Sequence, residues 1–115
     1  LFNLNDKQFI AETNSETGEV GDGTVFHYFQ EGDLIWADYS GGSIKIGNII
    51  GKVLSADVFE IRYQHLNKDG EMKTGYCLTT VSFTKDGKMQ LNETWEWTSG
   101  GEGKGNSILV EKVTA

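Results

Sequence analysis

Glu93 stands in a run, Met89-Gln90-Leu91-Asn92-Glu93-Thr94-Trp95-Glu96-Trp97-Thr98, whose apolar residues recur at every second position. Alternate side chains of a β-strand point to opposite faces, so Met89, Leu91, Glu93, Trp95 and Trp97 share one face. That face is expected to turn inward, and it takes Glu93 with it. A carboxylate between Leu91 and Trp95 is costly to bury alone and needs a hydrogen-bond donor or a raised pKa. Two roles fit it. One is a structural carboxylate held by a tyrosine, a backbone amide or an interior water. The other is a group that orients a ligand or moves a proton.

A second alternating run puts Phe59, Ile61, Tyr63 and His65 on one face, with Glu60, Arg62 and Gln64 opposite. Tyr63 and His65 thus join the expected interior, His65 nearer one mouth. Glu93 and His65 are the pair that an acid/base enzyme would use here. A lone histidine serves as readily as a satisfied core or rim residue. His27 lies in a distant run and Cys77 is the only cysteine, so no structural zinc site and no other metal is expected. The stretch Ser99-Gly100-Gly101-Glu102-Gly103-Lys104-Gly105 resembles a phosphate loop only in its glycines. Thr98 stands where the first glycine belongs, and Gly105 where Ser or Thr should follow the lysine. It also precedes a strand rather than a helix N-terminus, so it reads as a glycine loop at a barrel mouth. No cofactor is expected.

The elements that must position these residues are strands. No dozen residues keep a helical apolar period, whereas β-branched and aromatic runs recur between Gly, Asp, Asn and Ser. Eight strands are predicted, over residues 7–14, 24–30, 34–40, 43–53, 58–66, 71–83, 88–98 and 106–113. Asn67-Lys68-Asp69-Gly70 and Thr84-Lys85-Asp86-Gly87 supply hairpin turns whose glycine accepts positive φ. Glu31-Gly32-Asp33 and Ser40-Gly41-Gly42 are two further short reversals. Reversals this short leave no room for crossovers, so the sheet is antiparallel and up-and-down. Closing it removes its exposed edges. The expected fold is all-β: one antiparallel barrel spanning residues 1–115, with Gly47, Gly51 and Gly75 as sites of kinks or bulges.

Strands 24–30 and 34–40 are not oriented by their pattern. Val25, His27 and Phe29 oppose Phe26 and Tyr28, while Leu34, Trp36 and Asp38 oppose Ile35, Ala37 and Tyr39. Aromatics left outside would form an oligomer interface or lie under a covering segment, for which Leu1-Phe2-Asn3-Leu4 is a candidate.

Composition excludes several partners. The net charge is −7, and no Lys/Arg cluster offsets it, so nucleic acid is not an expected partner. No apolar run reaches the ~18 residues that cross a bilayer, so no membrane role is expected. A single cysteine forbids an internal disulfide and suits a cytoplasmic setting. A chain starting at Leu1 is expected to have had something before it, a cleaved signal peptide being one option.

The succession Phe26-His27-Tyr28-Phe29, Trp36-Ala37-Asp38-Tyr39-Ser40-Gly41-Gly42, Tyr63-Gln64-His65 and Glu93-Thr94-Trp95-Glu96-Trp97 resembles a family of small bacterial proteins often labelled N-acetylglutamate synthase, over nearly the whole chain. The meander is similar in topology to the calycin-type barrels: lipocalins, fatty-acid-binding proteins and avidins. That likeness implies an interior or mouth holding a small molecule, while the label implies acetyl transfer from acetyl-CoA. Acetylglutamate synthases seat acetyl-CoA against a helix N-terminus after a splayed strand. This sequence supplies no such helix, and acetyl-CoA is not expected to bind.

Three functions follow. The leading one is a barrel binding a small, partly apolar molecule, lined by Trp36, Tyr63, His65, Glu93, Trp95 and Trp97. The second is an enzyme with Glu93 and His65 as acid and base. The third is a filled barrel acting through its surface as an interaction module.

Overall fold

The computed structural model describes residues 2–14, 19–21 and 23–112. They form one closed barrel of eight antiparallel strands in chain order: β1 (Lys7–Asn14), β2 (Val25–Glu31), β3 (Leu34–Gly41), β4 (Ile44–Ser55), β5 (Val58–Asn67), β6 (Met72–Phe83), β7 (Met89–Ser99) and β8 (Lys104–Glu111). β8 closes the sheet on β1 through pairs such as Ile10 with Val110. No helix among the described residues is long and apolar enough to cross a membrane.

Turn chemistry sets the strand ends. Gly70 and Gly87 take φ of 84° and 82°, as the Asp-Gly turns require. In each turn the glycine N–H donates three residues back, to the carbonyls of Asn67 and Thr84. Two strand ends depart from expectation by two residues: β4 runs on to Ser55, and β8 begins at Lys104 rather than residue 106. Gly103 turns the chain with φ of 101°, and Trp97 N–H donates to its carbonyl, so Lys104 already pairs with Glu96. The expected end of this strand, Val113, lies outside the described residues.

The two strands left unoriented by pattern now have a direction. In β3, Ile35, Ala37 and Tyr39 are buried while Leu34, Trp36 and Asp38 are exposed. In β2, Phe26 and Tyr28 point inward. Trp36 is therefore outside, 43% exposed and stacked on Phe29 with ring centroids 6.0 Å apart. Its expected place in the lining is corrected: Asp38 shares its face, and an unpaired carboxylate is more cheaply left in water.

The ends of the barrel differ. The β2–β3, β4–β5 and β6–β7 hairpins share one end with the start of β1. There Phe2 and Leu4 are buried, Phe2 against Phe59 at 5.6 Å, and Leu4 N–H donates to the Gln30 side chain. This segment closes the barrel end instead of covering outer aromatics, as the sequence had led us to expect; Leu1 lies outside the described residues. Phe9, Tyr28 and Phe59 stack edge-on behind it. The other end, bounded by the β3–β4, β5–β6 and β7–β8 turns, holds the cavity described next.

Candidate ligand pocket

Alternation aims one side chain in two at the barrel axis, and near the open end these are mostly aromatic. Tyr39 comes from β3, Tyr63 and His65 from β5, Trp95 and Trp97 from β7. Two glycines settle the tyrosines. Gly47 on β4 pairs with Tyr39, and Gly75 on β6 pairs with Tyr63. A Cβ on either glycine would strike the facing phenol ring, so each ring lies flat across a bare backbone. Gly75 also sits at a register shift between β6 and β7, as expected of it. The irregularities of β4 fall at Ile44–Ile46 and Val53–Ser55; the first adjoins Gly47, whose pair with Tyr39 bounds the β3–β4 register shift, while Gly51 sits in a regular ladder and provides clearance for Ile61.

The resulting cavity has about 450 Å³ of empty space counted out to its mouth, within which a water-sized sphere can centre over about 50 Å³. That is room for a few waters or a compact organic group.

Glu93 lines this cavity, half-buried, beside the buried Trp95. Ser107 Oγ on β8 donates to Glu93 Oε1 at 2.6 Å. Burial raises the carboxyl to about 7, against the opposing pull of that hydrogen bond. Around it, burial first and the nearby Glu93 charge second push the Tyr28 hydroxyl and the Cys77 thiol well up. Tyr39 and Tyr63 are raised as well, chiefly by burial. These groups stay neutral through the physiological range. Glu93, raised to about 7, titrates within it.

The mouth carries a separate polar cluster. Glu19, from the connection between β1 and β2, has Oε1 2.7 Å from His65 Nε2 and Oε2 2.8 Å from Lys73 Nζ. Asn67 Nδ2 donates to Oε2 at 3.1 Å, and Ser43 Oγ to the Glu19 carbonyl at 2.9 Å. Burial alone would raise Glu19, but the bonds from Lys73, His65 and Asn67 hold it below its ordinary value. His65 Nδ1 lies 2.8 Å from the Tyr39 hydroxyl. A carboxylate only accepts, so Nε2 carries a proton, and in the tautomer with Nδ1 unprotonated that nitrogen accepts a hydrogen bond from the Tyr39 hydroxyl.

Of the six residues expected in the lining, Tyr63, His65, Glu93, Trp95 and Trp97 surround this one cavity, and Trp36 does not. Glu93 and His65 line it with different partners, Ser107 for one and Tyr39 with Glu19 for the other. Tyr63 donates to the Glu96 carbonyl, not to Glu93. Sequence reasoning missed Glu19, Tyr39 and Ser107. Asp38 on the opposite face of β3 was a usable sign that Tyr39 points inward; no local pattern announced the other two. Among the described residues no cluster of side chains could hold a metal ion.

No curated protein and no solved structure matches the chain. One family model does, that of the avidin-like proteins, over residues 2–112. The acetylglutamate synthase label has no support beside it, since the described residues include no α-helix to seat acetyl-CoA. A meander barrel closed at one end, open at an aromatic mouth and matched over nearly all its length makes this chain a member of the avidin-like family.

Proposed function

We propose that the barrel binds a small, partly apolar molecule in its open end. The observation that carries this reading is the composition of the cavity: aromatic walls from Tyr39, Tyr63, Trp95 and Trp97 around the Glu93–Ser107 pair, with the Glu19–His65 pair at the mouth. Apolar walls with a few convergent polar groups are the common character of small-molecule sites. Family membership supports it too, and biotin, the small molecule that avidin-like proteins bind, is the natural first probe. Acid/base catalysis by Glu93 and His65 draws less support, because His65 is already committed to Glu19 and Tyr39.

Native mass spectrometry of the freshly purified protein, alone and with added biotin, tests the reading. A retained or added small molecule at one per chain, with a change in tryptophan emission, is the expected result. Protein only at its bare mass, with emission that no small aromatic or biotin alters, would end it.

We also infer self-association through the outer face, supported by the row Phe29, Trp36 and Ile50, which pair across β2, β3 and β4. A cytoplasmic setting is supported by the buried, unpaired Cys77.

A further inference from the structure

Among the described residues, one carboxylate that lines the cavity has no cation paired with it. Glu111 pairs with Lys7 at 3.2 Å, Glu60 with Lys52 at 3.8 Å, and Glu19 with Lys73 at 2.8 Å. Glu93 is the carboxylate inside the barrel, and no Lys, Arg or His among the described residues forms an ion pair with it. Ser107 satisfies Oε1 only, while Oε2 accepts no hydrogen bond from a described residue and belongs to a side chain that lines the cavity. A desolvated carboxylate is stabilised most by a cation that also donates hydrogen bonds.

The walls favour the same kind of guest. The faces of aromatic rings are negative and attract ammonium groups, tryptophan most strongly. Trp95 and Trp97 lie beside Glu93 on β7 with centroids 5.5 Å apart, and Tyr63 meets Trp97 at 5.8 Å. At the mouth the chain already builds this arrangement from its own residues. Lys73 Nζ sits 5.3 Å from the centre of the Trp97 ring while it pairs with the Glu19 carboxylate. Deeper in, the indole and the carboxylate are present and the ammonium is not. The net charge of −7 adds a field that draws cations and repels anions.

We propose that the pocket selects small organic cations, an ammonium group seated on the Glu93 carboxylate with its apolar body between Trp95, Trp97 and Tyr63. This rests on the reading of the barrel as a small-molecule binder and narrows it to a ligand class. An anion would put like charges together or demand a protonated Glu93. A neutral amide or alcohol would satisfy the oxygen without compensating its charge.

Groups facing Glu93 come from every side: Tyr28 of β2, Tyr39 of β3, Tyr63 and His65 of β5, Cys77 of β6 and Ser107 of β8, with Glu19 and Lys73 at the mouth. The tyrosines and the thiol stay neutral, and Glu93→Gln isolates the carboxylate's part in any pH dependence.

The experiment is calorimetric titration of the full chain with benzylamine, benzyl alcohol and benzoate, at about pH 6 and about pH 8, which bracket the ordinary range of a raised carboxyl. Benzylamine is expected to bind about tenfold or more tighter than benzyl alcohol at the higher pH, the scale of one charge-assisted contact. Its affinity should fall at the lower pH. Glu93→Gln should erase both differences while benzyl alcohol binding holds and the variant melts no lower than the parent. Benzyl alcohol binding as tightly as benzylamine, or benzoate binding tightest, would overturn the cation inference and leave the binding reading standing. No binding by any of the three at millimolar concentration would overturn both.

Discussion

Glu93 and Tyr28 show how single residues set the balance between stability and function. Burial lifts the Glu93 carboxyl from an ordinary 4.5 to about 7, so between those values the folded protein holds a proton that the unfolded chain has released. Stability contributed by that proton is present at low pH and is lost as pH rises through the window. Glu111 runs the other way. The Met89 N–H and Lys7 hold it low, so its contribution is present near neutrality and lost in acid. Glu93→Gln is therefore expected to leave stability nearly unchanged at about pH 5 and to raise it by about 1–3 kcal/mol at about pH 8. Thermal melts at both values check this, and a variant weaker at both would make the charge a structural prop. Tyr28 is fully buried with edge contacts to Phe9 and Phe59, yet its hydroxyl has no hydrogen-bond partner among the described residues. Tyr28→Phe keeps the ring and removes the orphan, so it should be neutral or stabilising by up to about 1 kcal/mol in chemical denaturation. A clear loss would reveal a partner for that oxygen. Glu93 was legible in the sequence because its neighbours alternate so cleanly. Ser107 was not, because a serine in a strand carries no sign of the carboxylate it meets across the sheet.

Strands and turns were legible for a local reason: each is specified by residues within one turn or one run. The Asp-Gly reversals and the two-residue alternation of β5 and β7 locate those elements without reference to the rest of the chain. β2 and β3 resisted orientation because both of their faces carry aromatics, and what settles them is long-range. Ile35, Ala37 and Tyr39 turn inward because Tyr39 has Gly47 to lie across and His65 to bond. Glu19 was unreadable for the same reason, since the partners of its carboxylate, His65, Asn67 and Lys73, lie far along the chain on β5 and β6. The strand glycines connect this element-level packing to the pocket. Gly75 has an ordinary φ but faces the Tyr63 ring, so a side chain there displaces the ring and does not strain the backbone. Gly75→Val is expected to destabilise by about 1–3 kcal/mol, the scale of overpacking a filled core. It should also alter the emission of Trp97, which meets Tyr63 edge-on. Equal melting and unchanged emission would mean that Tyr63 has somewhere else to go.

For the molecule as a whole, closure of the sheet decides which surfaces are free to act. A barrel of eight strands has no edge to pair with another chain, so contacts between molecules must use its faces or its ends. One end is filled. Leu4 has no exposed surface and Phe2 stacks on Phe59, which leaves the opposite mouth as the way in. Leu4→Ala should cost about 2–4 kcal/mol, as for other fully buried leucines, with little effect on ligands entering from the far end. Among the outer faces, the one over β2, β3 and β4 carries an apolar row across three consecutive strands. Phe29 pairs with Trp36 and Trp36 with Ile50, and Trp36 and Ile50 are 43% and 69% exposed. The next residue in that row is Arg62, which lies over Tyr76 at 4.9 Å and ends the apolar band. A stripe bounded this way by charge has the character of an interface with an apolar centre and a polar rim. Because Trp36 and Ile50 point away from the cavity, their replacement can be separated from binding. Trp36→Arg combined with Ile50→Arg is expected to turn an oligomer into a monomer by light scattering, with the melting temperature of the barrel within a few degrees of the parent and ligand binding retained. A parent already monomeric at tens of micromolar would remove the interface, and leave the stripe as exposed apolar surface with no partner of its own kind.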